Sequence, residues 1–376
     1  MQFKDIFGIN TLKNNLLTAV KSRQIPHAQL FIGNTGSSNL ALALAYAQYI
    51  FCESPTDDDS CGTCYACRQT QKLTNPDLLI YFPMANLEKE DKDALKSIHT
   101  AAFRKLMSEN IYSDIKDWSQ ELNSENKQFY ISVEEGRSIL QAVSLKSFQS
   151  KHKIVLIWLP EYMHASCANA ILKVLEEPPK DTIFLMVSHQ PDKLLTTIIS
   201  RCQMIQVPLF SDEEVCQYIV SKYDTEPKIA VQISKIAQGN LNRAIKLTQD
   251  DKDDMFEVFA KWMRVCFKVR NTAEILQVVE ELAKKGRENQ KNIILYGLDV
   301  VRNAFLVNTG NTNLYSDTES NTQFVQKFAP YIHAGNIEDI TDELNKAYLH
   351  IERNGNAKIV LFDTSLRIGI LLQVKQ

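Results

Sequence analysis

Four cysteines stand at positions 52, 61, 64 and 67, in the pattern C-x8-C-x2-C-x2-C. Four thiolates are the donor set that tetrahedral zinc prefers, and two-residue steps let successive sulfurs turn toward one centre. With all four positions filled by sulfur, no site is open for water, so the expected role is structural. Iron–sulfur proteins use a similar run, but there the fourth cysteine lies three residues downstream and precedes proline. Here Arg68, Gln69 and Thr70 follow Cys67 with no such cysteine. Cys52, Cys61, Cys64 and Cys67 are therefore expected to hold a structural zinc ion.

A second candidate is "LFIGNTGSSNLALALAYAQYI", residues 30 to 50. It has the outline of a phosphate loop, G-x-x-x-x-G-K-[ST], between an apolar strand and an apolar helix. In a working loop, backbone N–H groups cradle phosphate, Lys neutralises it and a hydroxyl holds magnesium. Gly33 and Gly36 are present, and Ser37 follows. Ser38 stands at the second required Gly, Asn39 at the Lys and Leu40 at the hydroxyl. On its own, an ordinary strand-to-helix turn explains this stretch as well.

Two further segments bear on the same chemistry. Nucleotide hydrolases of this type end an apolar strand in Asp-Glu, which hold magnesium and activate water. "KIVLIWLPEYM" ends its strand in Trp158 and Leu159, which can do neither, and Glu161 lies two residues past the Glu position. "TTIISRCQ" sets Arg201 between Ser200 and Cys202 at the end of a helix. Such an Arg could reach a neighbour's phosphate as an arginine finger, or sit in a surface salt bridge.

The elements that must position these residues are legible in the periodicity. "AQLFI", "DLLIYFP", "KIVLIWL", "TIFLMVS" and "MIQVPL" read as strands, and "FYISVEEGRSILQAVS" begins as one before turning helical. Alternation with amphipathic helices indicates a parallel sheet covered on both faces. Residues 85–128 are polar, charged and helical in pattern, and are expected to decorate the surface as an insertion. After Pro208 no strand is expected, and Ser211 with Glu214 forms a capping box ahead of a helix. From about residue 252 only helices are expected, among them one with Ile294, Leu298, Val301 and Phe305 on one face, and "NTGNTNLYSDTESNT" reads as a polar loop. The expected domains are 1–207 (α/β with the cysteine module at 52–67), 208–250 (helical lid) and 251–376 (all-helical).

A chain of 376 residues suggests two or three such domains. It is 44% hydrophobic and 23% charged, with a net charge of -3, so no global basic field marks it as a free-standing nucleic-acid binder. The longest apolar run is too short for a membrane span, and the N-terminus lacks a signal-peptide layout. A cytoplasmic location is expected, where a cysteine cluster points to metal rather than disulfides.

Taken together, the segments resemble the AAA+ clamp-loader subunits of bacterial DNA polymerase III. "IPHAQLFIG", the cysteine module, "ANAILKVLEEPP" and "TTIISRCQ" match that family in order and spacing, through most of the chain. Within it the sequence is most similar to the delta-prime branch rather than the gamma/tau motor. Asn39, Leu40, Trp158 and Leu159 replace the groups a motor needs. The family's G-x-x-R sensor is also altered: "GNLNRA" puts Asn242 in the Arg slot and Arg243 one later. The resemblance implies a RecA-like AAA+ domain, a lid and a helical collar. It implies a chain without ATPase activity of its own, which binds no ATP productively. Arg201, with Ser200 and Cys202, would serve as an arginine finger in trans. Implied partners are gamma/tau-like motors and a delta subunit in a five-subunit ring. The sliding clamp and primer-template DNA are reached through the complex, at the replisome and without a membrane. Two alternatives stay open: an active gamma/tau-like ATPase, and a zinc-stabilised nucleic-acid-binding module outside replication.

Overall fold

Continuous apolar runs form strands where both faces of a sheet are covered. In chain order the strands are β1 (Ala28–Ile32), β2 (Leu78–Tyr81), β3 (Met84–Ala85), β4 (Phe129–Tyr130), β5 (Lys153–Trp158), β6 (Thr182–Ser188) and β7 (Gln203–Gln206). Five of them make one parallel sheet in the order β2-β5-β6-β1-β7. At its centre Leu30 lies in register with Met186 on one side and Met204 on the other. The strand expected at "FYIS" does not join this sheet. β4 pairs antiparallel with β3, Met84 opposite Tyr130, as a separate ribbon.

The helices between the strands are α1 (Asn10–Lys21), α2 (Asn39–Phe51), α3 (Tyr65–Gln71), α4 (Lys92–Glu109), α5 (Ile115–Glu121), α6 (Val133–Ser144), α7 (Ala165–Glu176) and α8 (Thr196–Ile199). Ser132 caps α6 by accepting from the Glu135 N–H at 3.3 Å. α7 stops ahead of Pro178 and Pro179, which cannot continue a helix. One face of the sheet packs on α6 and α7 through Leu30, Val155, Ile157, Phe184, Ile139 and Ile171. Then follow α9 (Asp212–Tyr223), α10 (Pro227–Ala237) and α11 (Leu241–Gln249). The expected capping box opens α9: Ser211 Oγ accepts from Glu214 N–H at 3.2 Å, and Glu214 Oε2 accepts from Ser211 N–H at 2.9 Å.

The computed structural model describes residues 1–85, 92–124, 127–249, 255–269, 271–310 and 319–374. It divides into two compact units, Met1–Asp224 with Ala237–Lys246, and Thr225–Ile236 with Leu247–Gln376. The start of α11 thus belongs with the sheet. The second unit includes α12 (Met255–Phe267), α13 (Thr272–Lys284), α14 (Arg287–Asn308), α15 (Glu319–Phe328), α16 (Ile337–Glu352) and α17 (Ala357–Leu371). No strand follows β7 among the described residues. On α14, Ile294 and Val301 are buried while Leu298 and Phe305 are half-buried. Gly297 lets α14 approach α12: a Cβ there would meet the Phe259 ring at 2.4 Å. Trp262 is fully buried and donates to Ser365 Oγ at 2.8 Å. The polar loop expected at 308–322 falls mostly outside the described residues. No described helix is long and apolar enough to cross a membrane.

The described residues of the 85–128 segment depart from the expectation of surface decoration, while 86–91, 125 and 126 lie outside the described residues. Phe103, Leu106 and Met107 are spaced i, i+3, i+4 on α4 and all are buried. Trp118 on α5 is fully buried and donates to Pro83 O at 2.7 Å. Phe82 stacks on Phe103 with centroids 4.3 Å apart, Trp118 meets both edge-on, and Phe103 reaches Trp158 at 5.5 Å. The charged outer face dominates the composition, but a few large side chains on the inner face fasten the segment to the sheet.

Candidate functional site

In open parallel sheets, ligands bind beyond the carboxyl ends of the strands. Here the loops after β1, β5 and β6 converge: Gly33 N–H donates to Ser188 O at 3.2 Å, and Leu159 N–H to Val187 O at 2.8 Å. The loop from Gly33 to Leu40 carries no charged residue. Ser37, Ser38, Asn39 and Leu40 are all buried. Asn39 turns inward, with Nδ2 3.3 Å from Gly33 O and 3.4 Å from Ser188 O, while its Oδ1 accepts from Leu40 N–H at 2.8 Å. The side chain at the Lys position therefore binds the loop's own backbone.

The loop is also covered from outside. Gly36 has φ +79°, the left-handed conformation that favours glycine, and a Cβ there would overlap Asn240 Oδ1. That oxygen caps α11 by accepting from Arg243 N–H at 2.9 Å. The next residue, Leu241, donates its N–H to Gly36 O at 3.1 Å. A free helix N–H that could meet phosphate is spent on the loop carbonyl.

Asn242, at the altered sensor position, is buried and held at both ends. Its Nδ2 donates to Asp117 Oδ2 at 2.7 Å, and its Oδ1 accepts from Asn110 Nδ2 at 2.7 Å. Lys246 completes the cluster by pairing with Asp117. The 85–128 segment thus grips the start of α11, a link between residues far apart in sequence that local spacing does not reveal.

The positions of the expected metal-holding and basic groups are equally closed. Trp158 and Leu159 are buried apolar side chains. Glu161 bends toward the loop after β6, where Oε1 accepts from His189 N–H at 2.9 Å and Gln190 N–H at 3.2 Å. Burial pushes the Glu161 carboxyl above its ordinary range and pulls the His189 imidazole down to about 4.

Arg201 lies elsewhere, just past α8. Its Nε donates to Glu176 Oε1 at 2.8 Å, a second nitrogen contacts the same oxygen, and Nη1 donates to Thr197 O at 2.7 Å. The pair is 29% and 50% exposed, so the guanidinium stays at the surface. Ser200 Oγ donates to Thr197 O at 3.2 Å. Cys202 donates to Ile198 O at 3.1 Å, and burial pushes its thiol up to about 12.

The four cysteines do converge. One sulfur from each of Cys52, Cys61, Cys64 and Cys67 lies within 4.8 Å of the others. The Cys61 and Cys67 sulfurs are 3.9 Å apart, close to the ~3.8 Å edge of a tetrahedron with ~2.3 Å metal–sulfur bonds. Backbone N–H groups point at the sulfurs: Cys61 at Cys52 (3.2 Å), Cys64 at Cys61 (3.3 Å) and Cys67 at Cys64 (3.4 Å). The N–H groups of Cys64 and Thr63 pull the Cys61 thiol down to about 6, while burial pushes Cys52 up. These residues could bind a metal ion, and the donor set suits one.

Fold and site define a parallel α/β domain whose first strand–loop–helix turn carries no charged residue, followed by helices. The sequence profile described as DNA polymerase III, delta subunit matches residues 8–211, more than half of the chain, and the chain belongs to that family. It is similar to DNA polymerase III subunit delta' of Pseudomonas aeruginosa, 30% identical over 209 residues, covering 56% of this chain and 51% of that protein. The subunit delta' of Bacillus subtilis is 26% identical over 63% of this chain and 58% of its own length. Subunit tau of the same organism is 21% identical over 95% of this chain and 60% of its own. The chain thus spans little more than half the length of these relatives. A solved gamma-subunit-related protein of Thermotoga maritima is 13% identical with a TM-score of 0.39, covering 95% of this chain and 99% of that one.

Proposed function

We propose that this chain is a non-catalytic, delta-prime-like stator of the replicative clamp loader. It stands beside gamma/tau-like motors and a delta subunit in a five-subunit AAA+ ring. Through that ring it helps load the sliding clamp onto primer-template DNA, in the cytoplasm at the replisome. Residues 208–250 act as its lid and 251–376 as its collar. Arg201 serves the ATP of the adjacent motor, flanked by Ser200 and Cys202.

The observation that carries this reading is the uncharged loop whose Asn39 is bonded to the loop's own backbone. Phosphoryl transfer is positioning plus charge stabilisation, and needs a cation, a magnesium ligand and a group that orients the nucleophile. Asn39, Leu40, Trp158 and Leu159 supply none of them, and Asn39 and the Leu241 N–H bond the loop's own carbonyls while Asn240 packs against Gly36. An arginine finger needs none of its own chain's nucleotide groups, so it survives their loss. Zinc is the ion that suits four thiolates. Cys52, Cys61, Cys64 and Cys67 would hold it, and it would cross-link the chain between α2 and α3.

Mixing the full chain with gamma/tau-like and delta subunits tests the proposal. A ring should form, and the isolated chain should show no magnesium-dependent ATP hydrolysis. Hydrolysis by the isolated chain would restore the gamma/tau-like reading.

A further inference from the structure

A cleft of about 790 Å³ opens on the sheet-containing unit, away from the loop at 33–40, none of whose residues line it. That is within the size range of ligand sites, roughly 300–1,000 Å³. Five segments outside the sheet build its walls: the N-terminal residues, α2 through Leu44 and Gln48, the end of α3 with its following turn, α4 with its following turn, and α9.

Its chemistry is cationic and aromatic. Lys72, Arg104 and Lys222 come from three separate elements, and all are exposed. Lys72 and Lys222 have no carboxylate partner among the described residues. Arg104 is anchored by Nε donating to Leu73 O at 2.9 Å, which leaves its other nitrogens for a ligand. Lys105 is already engaged by Glu121 at 2.9 Å. Asp5 is the single carboxylate in the lining, and it accepts from Gln2 N–H at 2.8 Å. Rings share the lining: Tyr218 meets Phe7 at 5.7 Å and Tyr112 at 5.8 Å, both edge-on. Phe7 and Tyr218 are half-buried, so parts of both rings remain accessible.

We propose that this cleft binds a stretch of single-stranded nucleic acid. Cations spread over three elements suit a string of phosphates better than the single phosphate cluster of a free nucleotide. Aromatic rings beside them offer bases the stacking surface that sequence-tolerant strand binders use. An acidic peptide would be attracted by the lysines but has no use for the rings. The site does not depend on the stator assignment: Arg201→Ala leaves it unchanged, and weaker binding by the cleft variants says nothing about ATP.

The test is fluorescence anisotropy of a labelled oligodeoxythymidylate with the full chain, across salt concentrations. The Lys72→Ala/Lys222→Ala variant should keep its melting temperature and bind about tenfold more weakly. Its log–log salt slope should shrink by about 1.4, at about 0.7 for each phosphate no longer neutralised. Tyr218→Leu should weaken binding about fivefold or more, and Tyr218→Phe should leave it unchanged. The proposal is overturned if the wild-type chain shows no saturable oligonucleotide binding, or if the double lysine variant binds as well as wild type. Lysine-dependent binding of polyglutamate with none of the oligonucleotide would overturn it too.

Discussion

The loop at residues 33–40 and the segment around Arg201 differ in charge and exposure. The loop is uncharged and buried apart from Asn34 and Thr35; Asn39 bonds it from inside, and Asn240 and Leu241 contact Gly36 from outside. Arg201 is a surface cation held by Glu176 and the Thr197 carbonyl. An exposed ion pair is worth about 0–1 kcal/mol, so releasing Arg201 from Glu176, as its proposed role requires, costs little. Buried polar clusters are different, because each group left without its partner costs about 1–3 kcal/mol. A group that acts within its own chain can be replaced by packing. One that acts on a neighbour has to stay at the surface.

This contrast predicts that changes around the sealed side are expensive and changes around Arg201 are cheap. The largest effect is expected at the metal site next to α2. Elemental analysis should find one zinc per chain. Cys64→Ser should lose it and raise hydrogen exchange throughout residues 52–73, since binding energy at a structural site is folding energy. Iron, or no metal in protein purified without chelator, would break the assignment. Next comes Trp118→Ala, which empties the centre of the aromatic cluster against Trp158. It should lower unfolding free energy by about 3–5 kcal/mol in denaturant titration. A loss below about 1 kcal/mol would mean that the 85–128 segment decorates the surface after all. Asn242→Ala leaves buried Asp117 and half-buried Asn110 short of a partner, and should cost about 1–3 kcal/mol and loosen the start of α11 in hydrogen exchange. Glu176→Gln should be the mildest, changing stability by under about 1 kcal/mol. A larger loss there would show that Arg201 is a structural residue and remove the contrast.

Much of this was legible in the sequence, because the signals are local. "AQLFI" and "TIFLMVS" are strands as written, and Ser211 with Glu214 makes its capping box. The cysteine spacing anticipated sulfurs that converge. The inner face of α4 was also available, since Phe103, Leu106 and Met107 keep helical spacing, but charged neighbours outweighed it. The grip on α11 was not available. Asn242 and Asp117 lie 125 residues apart, and nothing in either local pattern marks the other. Arg201 illustrates a different limit. Its motif fits both an arginine finger and a surface ion pair, and the chain by itself displays the ion pair.

Under the proposed function, the chemistry linked to this chain lies at Arg201 and not in its own loop. ATP hydrolysis by the reconstituted ring, with DNA and clamp present, tests it most directly when wild type is compared with Arg201→Ala. An intact ring is expected in which turnover at the adjacent motor site falls by about a thousandfold or more. Unchanged hydrolysis from an intact Arg201→Ala ring would contradict it.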